Sequence, residues 1–83
     1  VPHVGWNNFD SIQGELFNNI NKNDDVYYVH SYYAHLNKDT IAICDYISPF
    51  SAALQKDNFF ATQFHPEKSA RVGEQILKKF LEL

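Results

Sequence analysis

The sequence predicts an α/β unit, rich in strands and closed by one amphipathic helix. Three observations carry this. Segments 26–33 and 40–46 are runs of β-branched and aromatic residues. Asp57-Asn58 suits a two-residue hairpin turn between two further apolar runs. Val72, Ile76, Leu77 and Phe80 recur at helical spacing near the end of the chain.

Residues 1–8 read as irregular, with Pro2 and Gly5 as punctuation. Asp10-Ser11 offers an N-cap, and Ile12, Leu16, Phe17 and Ile20 at helical spacing predict a short helix. The Asn/Asp/Lys-rich segment 18–25 is a turn. A strand over 26–33 follows, then a turn at Asn37-Lys38-Asp39, and a second strand over 40–46. Pro49 breaks the chain. A third strand over 51–56 turns at Asp57-Asn58 into a fourth over 59–65, which Pro66 ends. Ser69 caps a helix running to Leu83. Gly73 lies on its apolar face and permits close approach to a sheet, at a helix cost of ~1 kcal/mol relative to Ala. Lys78 and Lys79 complement its dipole.

The 83 residues suffice for one domain with a modest core, and 45% hydrophobic content excludes disorder. A net charge of −3 without a basic run gives nucleic acid no electrostatic footprint. The apolar runs fall far short of a membrane span, and no signal-peptide pattern opens the chain. The lone cysteine, Cys44, cannot form an internal disulfide, so cytoplasm is the expected location. The chain has no methionine and opens Val1-Pro2-His3, which suggests a processed product or a fragment. Four short strands and one helix cannot cover both faces of a sheet, which again suggests a missing partner segment.

The chemistry concentrates in Gln63-Phe64-His65-Pro66-Glu67-Lys68-Ser69. Pro66 disfavours helical geometry at His65, and residues two apart in extended chain point the same way. Glu67 can then reach one ring nitrogen of His65, fixing its tautomer and leaving the other nitrogen to accept a proton. That is the base-plus-orienter half of a nucleophilic triad. On these three residues alone, a surface turn leaving a strand is the better account.

Cys44 does not supply the nucleophile. Ile43 and Asp45-Tyr46 flank it within a continuous strand, where no sharp elbow fits, so it reads as a buried strand residue. Ser31 and His30 are adjacent and face opposite sides. His30 and His35 likewise diverge, His3 lies far off in sequence, and no spacing matches a structural zinc site. The tyrosines and phenylalanines are most simply sheet and core packing.

The string 63–69 resembles the triad signature of class I glutamine amidotransferases. Pro2-His3-Val4-Gly5-Trp6-Asn7 and Val29-His30-Ser31-Tyr32-Tyr33 resemble, more narrowly, the subfamily that forms the glutaminase subunit of imidazole glycerol phosphate synthase, an enzyme of histidine biosynthesis. The resemblance spans nearly the whole chain, including the final helix. It implies the C-terminal part, residues 1–83, of a single flavodoxin-like three-layer sandwich domain. It implies no cofactor and no metal.

By the same resemblance, His65 is the general base and Glu67 its orienter. His30, Ser31 and Tyr32 border the glutamine substrate. Trp6, Asn7, Tyr27 and Lys68 lie near the interface with a cyclase subunit, a (β/α)8 barrel that receives the ammonia. The family carries its cysteine nucleophile in an N-terminal half that has no counterpart in these residues. The fragment alone is therefore expected to be inactive, and to expose a sheet edge or apolar face that seeks a partner. Three other expectations stand beside this one. They are an amidotransferase serving a different synthase, a non-catalytic module on the same fold, and a self-contained Cys44-His65-Glu67 hydrolase.

Overall fold

The computed structural model describes residues 3–30 and 32–83. Six strands run β1 His3–Asn7, β2 Ser11–Ile12, β3 Val26–His30, β4 Thr40–Tyr46, β5 Ser48–Lys56 and β6 Phe59–Thr62, and one helix, α1, spans Ala70–Glu82. Single 3-10 turns occupy Glu15–Phe17 and Pro66–Lys68. β1 and β3 form an antiparallel ribbon, and β2-β4-β5-β6 form a second antiparallel sheet.

The expected strand over 40–46, the Asp57-Asn58 turn and the closing helix are present. Several expectations are corrected. Residues 3–7 are a strand despite Gly5, because the cross-strand partner β3 binds every residue of the segment in register. The helix expected from Ile12 to Ile20 is a short strand and one 3-10 turn. Gly14, at φ 90°, breaks the path between them, and the amides of Asp10 and Gln13 donate to Ile43 and Ile41 of β4. Leu16, Phe17 and Ile20 are buried all the same. Pro49 lies inside β5, opposite Asp45. The β4–β5 connection is the single residue Ile47, at φ 69°, which makes the tight reversal that Pro49 was expected to mark.

Strand β3 ends at His30 and β6 at Thr62, both earlier than expected. The reason for the second is a change of sheet. The amide of Gln63 still donates to Ala52 of β5, but the amide of His65 donates to Tyr27 of β3 at 2.9 Å. Residues 63–65 thus step from the four-stranded sheet to the ribbon.

The core joins the two layers. Phe9, Phe17, Tyr28 and Phe64 pack as edge-on pairs with centroids 5.4–6.0 Å apart. Ile76 anchors α1 in this cluster, Val72 leans on it, and Phe80 meets Phe60 edge-on. Leu77, expected on the buried stripe, is exposed. Gly73 is a close-approach residue, but its neighbour is the Pro66 carbonyl rather than a sheet. The ribbon leaves Val4, Trp6 and Val29 exposed on one face, an apolar surface of the kind the sequence leads one to expect. Among the described residues no helix is long and apolar enough to cross a membrane.

Candidate active site

The site is assembled where the chain leaves β6. His65 is extended, at φ −104° and ψ 98°, as the following proline requires. Pro66 then starts a 3-10 turn, for which its fixed φ is suited. That turn carries Glu67 back beneath the imidazole, where Oε2 lies 3.0 Å from His65 Nδ1. The carboxylate accepts from Nδ1–H, which leaves Nε2 of a neutral ring as the acceptor.

Glu67 is held below the ordinary carboxylate range, first by its own backbone N–H and then by the His65 ring. It is ionised at neutral pH. A lowered folded-state value means that the pairing's contribution to stability is present above the unfolded value and lost as pH falls through the folded one.

Ser69 holds this segment in place. It was expected to cap α1 through its side chain and does not. Its hydroxyl is buried and makes two cross-links instead, donating to the His65 carbonyl and accepting from the Tyr27 amide. With the His65 amide bound to the Tyr27 carbonyl, both polar groups of the Tyr27 backbone are committed to the site. Nothing in the local sequence distinguishes this serine from an N-cap, since its partner lies 42 residues away. Ser69→Ala should leave the Tyr27 amide without its acceptor and cost roughly 1–2 kcal/mol in chemical denaturation. An unchanged denaturation midpoint would show that the clamp contributes nothing.

Trp6 stands edge-on to Tyr27, with centroids 5.6 Å apart, and is about half exposed. Asn7 lies opposite Val26, and its side chain accepts from the Asn8 amide. Lys68 is exposed on the turn beside Glu67. His65, Glu67, Tyr27 and Lys68 therefore form one cluster with Trp6 at its margin. His30 closes the other end of β3, about 10 Å from Tyr27 along the strand. Tyr32 follows it and is exposed. Ser31 lies outside the described residues.

Cys44 is fully buried in β4, opposite Phe50. Burial pushes its thiol pKa up. Tyr28, also fully buried, has its pKa raised by burial and then by Cys44, and its hydroxyl has no hydrogen-bond partner among the described residues. Such a thiol is inert. Alkylation of the folded chain should be slow and should accelerate on unfolding, whereas rapid labelling of the native chain would revive Cys44 as a nucleophile. Among the described residues no group of three His, Cys, Asp or Glu side chains is arranged to hold a metal ion.

Comparison with known proteins decides the family. The model described as Glutamine amidotransferase class-I matches residues 1–83. The chain belongs to the class-I glutamine amidotransferases. It is 57% identical over 83 residues to the imidazole glycerol phosphate synthase subunit HisH of Bacteroides fragilis, 53% identical to that of Bacteroides thetaiotaomicron, and 50% identical over 84 residues to that of Salmonella typhimurium. Each match takes in all of this chain but only 42–43% of the relative. The chain thus spans about two fifths of the length of these curated relatives.

Proposed function

We propose that this chain is the proton-transfer part of a glutaminase that supplies ammonia to a cyclase subunit forming imidazole glycerol phosphate in histidine biosynthesis. The observation that carries the reading is the 3.0 Å contact between His65 Nδ1 and Glu67 Oε2. The names of the similar HisH subunits support the pathway.

In this reading the full-length protein supplies a cysteine. Nε2 of His65 takes the thiol proton as sulfur adds to the glutamine side-chain amide carbon. It returns that proton to the leaving nitrogen as the C–N bond breaks, releasing ammonia and leaving a thioester. Water, deprotonated by the same nitrogen, then cleaves the thioester to glutamate and regenerates the thiol. Glu67 holds the imidazole in the required tautomer and stabilises its cationic form. His30, Ser31 and Tyr32 border the glutamine. Trp6, Asn7, Tyr27 and Lys68 face the (β/α)8 barrel of the cyclase in a heterodimer, and the enzyme acts in the cytoplasm. The half-exposed Trp6 beside Tyr27 and the exposed Lys68 on the Pro66–Lys68 turn suit such a contact.

The test is glutamate release from glutamine, measured with the full-length protein plus the cyclase and with the 83-residue chain alone. Turnover by the first and none by the second is expected. Turnover by the short chain would show that its own residues suffice, and an inert full-length complex would remove the glutaminase reading.

A further inference from the structure

His3 is a residue that the proposed chemistry does not use, yet it is buried and closely stacked. Its ring is buried between Tyr28 and Tyr46, stacked on them at centroid separations of 4.5 and 4.0 Å with interplanar angles of 13° and 2°. Phe50 closes an edge. This sandwich fixes the plane of the imidazole. Within that plane, Nδ1 lies 3.1 Å from Nε2 of His30, its cross-strand partner. The other nitrogen of His30, Nδ1, lies 2.9 Å from the carbonyl oxygen of Tyr32.

The direction of each bond follows from the last acceptor. A carbonyl oxygen only accepts, so His30 Nδ1 carries a hydrogen. A neutral His30 then has a bare Nε2, and the hydrogen between the rings belongs to His3 Nδ1. Both imidazoles are thereby held as Nδ1–H tautomers, His30 by its bond to the Tyr32 carbonyl and His3 by its bond to the bare Nε2 of His30. Burial, and then the proximity of His30, lowers the pKa of His3, in keeping with a neutral first member.

We propose that His3 is a positioning residue that, acting through His30, fixes the orientation of the Tyr32 carbonyl and so the backbone that borders the glutamine. A peptide unit turns as a rigid plane, so holding its carbonyl sets the direction of the whole unit. The relay anchors that plane to the stacked aromatic interior of the ribbon. It rests on the glutaminase reading for the identity of the ligand, but its tautomers do not.

Two measurements test it on the full-length protein. In nitrogen-15 spectra, His30 should show a protonated Nδ1 and an unprotonated Nε2; a protonated Nε2 in the neutral ring would overturn the relay whether or not the protein hydrolyses glutamine. His3→Phe keeps the ring stack and deletes the donor. It should raise KM for glutamine roughly five- to tenfold, as expected for one lost hydrogen bond, with kcat changed much less. His3→Asn, whose amide nitrogen sits near the place of Nδ1, should recover most of that loss, which a purely structural role for the ring would not allow. Equal KM in all three proteins, or a defect in His3→Asn as large as in His3→Phe, would overturn the proposal. Inactivity of the unsubstituted protein would instead strike the glutaminase reading and leave the tautomers to decide the relay.

Discussion

Replacing His65 with Asn in the full-length protein should lower glutamine turnover about 10^4- to 10^6-fold while glutamine still binds, the size of loss seen when a triad base is removed. The loss would be this large because in the proposed reaction one nitrogen serves each proton transfer, and among the described residues Glu67 is the titratable side chain bonded to His65. Glu67 should be graded. Glu67→Ala removes the acceptor and frees the ring. Glu67→Gln can turn its amide oxygen to Nδ1–H, keeping the tautomer and losing only the charge. Because Glu67 is 59% exposed, solvent screens that charge, and the Gln variant should lose only about 10^2-fold. Single-turnover glutamate release would rank the three variants. His65→Asn within tenfold of the parent would dismiss His65 as the base.

Gly73→Ala should be the most damaging of the conservative substitutions. A methyl group there would lie 1.9 Å from the Pro66 carbonyl oxygen and 2.8 Å from both the Pro66 carbonyl carbon and Ser69 Cβ. None of these is the free end of a flexible side chain. Alanine gains ~1 kcal/mol of helix propensity over glycine. Overpacking against fixed backbone costs several times that, so a net loss of about 3 kcal/mol is expected in urea or thermal denaturation. Relief requires α1 to move off the Pro66–Lys68 turn, and that turn carries Glu67. The variant should therefore also lose the His65–Glu67 contact, seen as a change in the His65 ring resonances. A variant as stable as the parent would show that the turn and helix are free to part.

Features with local causes are legible in the sequence, and those with distant causes are not. The β4 strand is legible because β-branched and apolar residues fill it from Thr40 to Cys44. The final helix is legible because Val72 and Ile76 repeat at its period. The His65–Glu67 pair is legible because proline fixes the geometry of its neighbour within three residues. The β1 strand is not, since Pro2 and Gly5 look like breakers and the pairing that overrules Gly5 comes from β3, more than twenty residues on. The segment 12–20 has a helical period, but the bonds that settle its form go to β4. The placement of His3 opposite His30 depends on the β1–β3 register and so has no local signal either. The role of Ser69 has no such signal, because both of its bonds are tertiary or span a turn.

The clamp at Tyr27 has a consequence for the order of events during folding. Among the described residues the Tyr27 amide and carbonyl find their partners at Ser69 and His65. A chain emerging from the ribosome can close the β1–β3 ribbon and the β4–β5 hairpin early, from contacts nearer in sequence, but β3 keeps an unsatisfied rim until residue 69 is out. The paired histidine and glutamate hang from that rim. Their alignment is a late acquisition, made after the scaffold that bears them, and a chain stalled before Ser69 would be folded in part with that segment unclamped.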